Sequence, residues 1–177
     1  EKLHLLPNGI SLDGYSPRDT PTAIPCMGFL ARLCPLKGLD VFVDAYLEIM
    51  QRGKHPELEL RVAGGMTKED EPYLDEQKKK LVAAGLWDKA TFLPNVDRED
   101  KLAFLRDLTV FSVPARFPEA FGLYVVEALA AGAPVVLPEE GAFPEIVEST
   151  GGGLLYKPNE PIALADALED LLSRPHE

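Results

Sequence analysis

Short apolar runs and helical-period stripes take turns along this chain. Residues 26–30 form an apolar run and predict the first strand. Leu39, Phe42, Val43, Tyr46 and Met50 then fall at helical spacing, with Asp40, Asp44 and Glu48 off the stripe, and Gly53 ends that helix. Leu58, Leu60 and Val62 alternate with charged residues, a strand that stops at Gly64-Gly65. Residues 69–85 predict an exposed amphipathic helix, with Leu74, Leu81 and Val82 inward and the Lys78-Lys79-Lys80 run solvated outside. A short strand at 91–93 precedes Pro94-Asn95, and residues 97–107 predict a helix capped by Asp97 with an acidic first turn.

The second half keeps the same rhythm. Residues 108–113 are an apolar run expected to be a buried strand. Residues 123–131 carry one polar side chain suited to a site, Glu127, in a segment otherwise apolar and so expected to be buried on most sides, and it breaks at Gly132 and Pro134. Val135, Val136 and Leu137 predict the next strand. A glycine loop, 138–143, leads into a short helix, residues 150–153 are expected to be flexible, and 154–156 predict the last strand. Pro161, Leu164, Ala165, Leu168, Leu171 and Leu172 make a final amphipathic helix, with Glu169 and Asp170 expected outside.

Six alternations of strand and helix, with no internal repeat, predict an α/β fold: a doubly wound, Rossmann-like parallel sheet of about six strands with helices on both faces. Residues 1–23 are sparse in apolar residues and rich in turn signals (Pro7-Asn8-Gly9, Tyr15-Ser16-Pro17), so they are expected to be a lead-in to a domain spanning 24–177, in a chain cut from something longer. The length of 177 residues suits one well-buried α/β domain.

Composition changes the picture only in what it excludes. At 46% hydrophobic and 27% charged the chain has a globular balance, and its net charge of -11 makes nucleic acid and anionic membranes poor partners. A phosphate site here must be locally basic. No apolar run reaches membrane-spanning length, and the start lacks signal-peptide form. Cys26 and Cys34 show neither metal-ligand spacing nor a redox motif, and read as thiols of a cytoplasmic protein.

Candidate chemistry collects on one rim. Ligands of doubly wound sheets lie beyond the carboxyl ends of the strands. Arg32 and Lys37, in the loop after the first strand, are a forked and a point-like donor able to clamp a diphosphate. Taken alone, that pair reads more readily as two solvated loop cations. The amides around Gly122 and Leu123 open a helix and suit an anion, and a residue without a Cβ lets a ligand come close. Arg116 and Glu119 lie in the loop before it, and Glu119 and Glu127 are acceptors that fit hydroxyls of a sugar or ribose beside a phosphate. The alternatives stay open: Glu127 as a satisfied core carboxylate paired with a backbone amide or an arginine, Glu119 as a solvated loop residue.

The strings Ala31-Arg32-Leu33…Lys37-Gly38, Glu119-Ala120-Phe121-Gly122-Leu123…Glu127-Ala128, Gly132-Ala133-Pro134-Val135-Val136 and Gly141…Pro144-Glu145-Ile146-Val147 resemble the successive motifs of GT-B retaining glycosyltransferases, the glycosyl transferase group 1 family. Pro7-Asn8-Gly9-Ile10 is similar to that family's interdomain linker. The resemblance implies the C-terminal half of a GT-B fold, binding a UDP-, GDP- or ADP-sugar and completed by an N-terminal acceptor-binding domain of the same enzyme. By that similarity Arg32 and Lys37 hold the diphosphate in place of a metal, and no further cofactor is implied. Glu119 contacts the transferred sugar and Glu127 the ribose. Amides of Phe121, Gly122 and Leu123 meet sugar and phosphate, and the backbone at 93–96, with Asn95 and Val96, edges the base. Ala31 stands where the family usually has glycine, and Ala115 where serine is common. The isolated chain is expected to bind a sugar nucleotide weakly and transfer nothing. A GT-B-fold sugar-nucleotide epimerase and a non-catalytic binding module are the competing readings. A dinucleotide-binding module is disfavoured, because no Gly-x-Gly-x-x-Gly follows the first strand.

Overall fold

The computed structural model describes residues 8–20 and 22–174; Pro7, the first residue of the linker-like string, lies outside them. Six strands form one parallel sheet: β1 (Cys26–Leu30), β2 (Glu59–Gly64), β3 (Ala90–Pro94), β4 (Val110–Phe111), β5 (Val135–Pro138) and β6 (Gly153–Tyr156), in the spatial order β3-β2-β1-β4-β5-β6. Cys26 pairs with Glu59 on one side of β1, and Met27 with Val110 on the other. All five residues of β1 are buried, as a central strand covered on both faces must be.

The helices are α1 (Leu39–Arg52), α2 (Glu71–Ala83), α3 (Arg98–Arg106), α4 (Leu123–Ala130), α5 (Phe143–Thr150) and α6 (Pro161–Leu172). Helix α1 packs against both α6 and α2, while α3 packs against α4. Phe29, Phe42, Tyr46, Phe111 and Phe143 are fully buried and fill the layers on either side of the sheet. Burying a side chain of this class contributes about 1.5–3 kcal/mol. The expected cap of α3 is present, with the Asp97 carboxylate accepting from the Asp100 amide at 2.9 Å.

Several details differ from the expectation. Val82 is 59% exposed, and Gln77 takes the inward place between Leu74 and Leu81. Positions 74, 77 and 81 follow the i, i+3, i+7 stripe, whereas 82 is rotated a further 100° from 81. Glu169 is buried at 6% exposure because Arg52 reaches it at 2.8 Å and Lys54 at 3.3 Å across the α1–α6 contact. Along α4 only Leu123 is exposed, at 48%; Val125 and Ala128 are buried and the rest partly covered. Thr150 ends α5 and Gly153 opens β6, one residue before the expected strand start. The buried run 108–113 contributes only Val110–Phe111 to the ladder, though Leu108 and Val113 stay in the core.

The lead-in is in part a packed segment. Arg98 Nη2 donates to the Asp13 carbonyl at 2.6 Å, Tyr15 reaches α4, and Arg18 pairs with Asp107 just past the end of α3. Residues 13–18 therefore run over the α3–α4 pair. Among the described residues, no helix is long and apolar enough to cross a membrane.

Candidate functional site

The strand order reverses between β1 and β4, which opens a crevice at their carboxyl ends. The loop after β1 carries Arg32 and Lys37, and the loop after β4 carries Arg116 and Glu119. The two loops are stitched together: the Arg116 amide donates to the Leu36 carbonyl at 3.0 Å, and the Arg116 guanidinium donates to Asp40 at the start of α1. Tyr73 on α2 braces the same carboxylate, donating to Asp40 Oδ1 at 2.8 Å.

Lys37 and Glu119 meet across the crevice as an ion pair, with side chains 20% and 13% exposed. The Lys37 ammonium also lies 5.4 Å from the ring centre of Tyr124 and 5.8 Å from that of Phe117, within cation–π range. Tyr124 Oη donates to Glu119 Oε1 at 2.9 Å. Burial raises the Tyr124 pKa, and the Glu119 charge adds to the rise, so the phenol stays a proton donor. Glu119 is further fixed from behind, its carbonyl accepting the Ala142 amide at 3.0 Å.

That cluster sits at the amino end of α4. Gly122 is the N-cap, with φ +79° and no side chain closing the helix end, so the first amides of α4 face the rim unsatisfied by a cap. The glycine is required for a reason other than ligand approach: an added Cβ lands 2.8 Å from Cε1 of Phe143, in a left-handed backbone.

Arg32 is not brought to this cluster. Its guanidinium, 58% exposed, reaches Asp70 at 3.4 Å on the far side of its loop. The Thr67 amide and hydroxyl, and then Arg32, hold the Asp70 carboxyl below the usual carboxylate range. Asn95 has a left-handed backbone and ties neighbouring loops: its Oδ1 accepts the Met66 amide at 2.9 Å, and its own amide donates to the Gly64 carbonyl at 2.8 Å. Val96 and Leu93 line a cavity of about 420 Å³ with Asp100 and Phe104, beside α3.

Glu127 lies one turn along α4 and is 17% exposed. Its Oε1 accepts from Lys101 of α3 at 2.6 Å and from Tyr15 of the lead-in at 2.9 Å. The partners are thus a lysine and a phenol, not the amide or arginine expected of a core carboxylate. Partial burial lowers the Lys101 pKa, but the hydrogen bond and charge of Glu127 outweigh it and the net direction is up. Sequence reasoning missed Tyr15, Lys101, Tyr124 and Phe117. Only Tyr124 carried a signal, five positions from Glu119 and next to the helix start.

A doubly wound sheet with an ion-paired lysine and glutamate at an uncapped helix end beside its switch point defines an α/β domain of the class whose ligands lie beyond the carboxyl ends of the strands. The particular family follows from comparison with known proteins: the pattern described as "Glycosyl transferases group 1" matches residues 19–177, and the chain belongs to that family. It is 34% identical over 172 residues to the phosphatidyl-myo-inositol mannosyltransferase of Mycobacterium leprae, covering 94% of this chain and 43% of that protein. The chain spans about two fifths of the length of the curated relatives it matches. The C-terminal domain of the group 1 family protein LpcC from Francisella tularensis superposes with TM-score 0.81 at 26% identity, covering 93% of this chain and 88% of that one. HepE from Anabaena, solved in complex with UDP and glucose, gives TM-score 0.74 at 25% identity over 85% of this chain and 40% of its own. These likenesses match the expected half of a GT-B glycosyltransferase fold.

Proposed function

We propose that this chain is the donor-binding, C-terminal domain of a retaining glycosyltransferase that grips a nucleoside-diphosphate sugar in the crevice between the loops after β1 and β4. The observation that carries the reading is the meeting of Lys37, Glu119 and Tyr124 at the uncapped amino end of α4. An ammonium has three donors, so Lys37 can keep Glu119 and still offer protons to a phosphate. Arg32 exchanges its long, exposed contact with Asp70 for the diphosphate, whose oxygens its planar fork matches. Glu119 accepts from hydroxyls of the sugar, Glu127 from the ribose, and the amides of Phe121, Gly122 and Leu123 meet the sugar and phosphate. The base lies along 93–96, where Leu93 and Val96 border the cavity beside α3.

In that arrangement the bond between the anomeric carbon and the leaving phosphate oxygen breaks while negative charge grows on the nucleoside diphosphate; an acceptor hydroxyl oxygen bonds to the anomeric carbon, and its proton passes to the departing diphosphate. Lys37 and Arg32 stabilise that charge, the task a metal performs elsewhere. The acceptor's binding site and the opposite wall come from the N-terminal half of a longer protein. The chain alone then holds the donor weakly and transfers nothing.

Calorimetric titration of the chain with UDP, GDP and ADP tests the reading, and HepE makes UDP the first to try. Saturable heat with at least one of them, unchanged by a chelator, is expected. Absence of heat with all three overturns it.

A further inference from the structure

The two acids of the site are held in the same unusual way. Glu127 Oε1 accepts from Lys101 at 2.6 Å and from Tyr15 at 2.9 Å, and among the described residues nothing donates to Oε2. Glu119 repeats the pattern: its Oε1 takes Lys37 and Tyr124, and among the described residues its Oε2 has no donor. Each side chain is more than four-fifths covered, while its second oxygen keeps some solvent contact and is therefore open to a ligand. A lysine neutralises the charge, a tyrosine fixes the direction, and both act on one oxygen. The other oxygen is left as a directed acceptor.

For Glu127 the tyrosine comes from outside the α/β layers. Residues 13–18 lie over α3 and α4 as a strap. A Cβ at Gly14 would meet Leu102 Cδ1 at 2.8 Å, and one at Gly132 would meet Pro17 Cβ at 2.7 Å. Arg98 holds the Asp13 carbonyl, and Arg18 pairs with Asp107. Tyr15 stands between these anchors and points its hydroxyl at Glu127. Burial, then the hydrogen bond and charge of Glu127, raise its pKa, so it remains a neutral donor.

We infer that Tyr15 is a positioning residue of the nucleotide site: the lead-in strap supplies the hydroxyl that fixes Glu127 with its second oxygen free for vicinal ribose hydroxyls. The inference rests on the ribose role proposed for Glu127. It makes the strap part of the binding site, so that whatever precedes residue 13 is mechanically joined to nucleotide recognition. The carboxylate is oriented before ligand arrives, which removes part of the ordering cost of binding.

The test uses the full-length enzyme, its preferred nucleoside diphosphate and the 2′,3′-dideoxy form of the same nucleotide. Tyr15→Phe keeps the ring and the strap packing and removes only the hydroxyl. Its dissociation constant for the ribonucleotide should rise about 3- to 10-fold, the size of one net hydrogen bond, while that for the dideoxynucleotide stays at the parent value. Glu127→Gln, measured in parallel, should weaken the ribonucleotide selectively as well. If Glu127→Gln has the selective effect and Tyr15→Phe does not, the strap inference falls and the ribose role stands. If Tyr15→Phe weakens both nucleotides equally, Tyr15 acts on the fold alone and the inference also falls. If Glu127→Gln discriminates between neither nucleotide, the ribose role itself is wrong and the inference goes with it.

Discussion

Lys37 is flanked by Glu119 and two aromatic faces, so its ammonium has little freedom to leave the crevice. Arg32, by contrast, is exposed, and among the described residues its side chain has only the Asp70 contact to give up. In the full-length enzyme Lys37→Ala should lower the transfer rate by about two orders of magnitude, as loss of a group stabilising developing charge does. It should raise the donor KM too, because Glu119 loses its counter-ion. Arg32→Ala should lower the rate by about as much while leaving the Glu119–Tyr124 contact intact. Steady-state kinetics on both variants checks this, and unchanged turnover in both refutes the roles. Lys37, Glu119 and Glu127 were legible as candidates in the sequence because charged residues beside a strand end or inside an apolar helix stand out against their neighbours; Arg32 stood out in the same way, but its side chain turns to Asp70. Their partners were not. Tyr15 and Lys101 are 112 and 26 positions from Glu127, and no local pattern connects them.

Between the residue and the whole chain, turns decide the geometry. Gly141, at φ +63°, brings the loop after β5 against the backbone of Glu119: an added Cβ would lie 2.6 Å from the Glu119 nitrogen and 2.7 Å from its oxygen. Gly151 has nearly the same backbone, φ +64°, with nothing within 4 Å. Gly141→Ala and Gly151→Ala should therefore share the cost of a left-handed alanine, about 1–2 kcal/mol. Only Gly141→Ala should also displace Glu119 and weaken nucleotide binding. Thermal melts and titrations of the two variants separate strain from displacement; equal binding losses would mean that the Glu119 backbone does not matter. The order and kind of the elements were readable from hydrophobic period, the end of α1 from Gly53 and the start of α3 from its Asp97 cap. Which side of α2 and α4 is covered was not, since Val82 and Leu123 are as apolar as the residues that are buried. Composition records preference, and packing records what neighbour is there.

At the scale of the molecule, α1 and α6 are clasped by Arg52, which donates to Glu48, Asp166 and the buried Glu169. Burial raises the Glu169 pKa, but hydrogen bonds from Arg52 and Lys54 outweigh it and the net direction is down from 4.5. A depressed carboxyl contributes stability above its unfolded value and loses it as pH falls through the folded one. The melting temperature of the chain should therefore drop on acidification below about pH 4.5. Glu169→Gln should be less stable at pH 7 and should show a shallower acid slope; the same slope in both proteins would remove Glu169 from the account. The sequence by itself determined the alternation of strands and helices and the family motifs, because hydrophobic period and turn residues act over a few positions. It also put the charged loops at one edge, since every parallel strand must end on the same side. Tertiary structure alone decided which loops face each other, for the reversal of strand order between β1 and β4 sets Lys37 against Glu119. It alone laid Tyr15 on Glu127. A contact between distant segments costs chain entropy that only the assembled core offsets, so no stretch of sequence contains it.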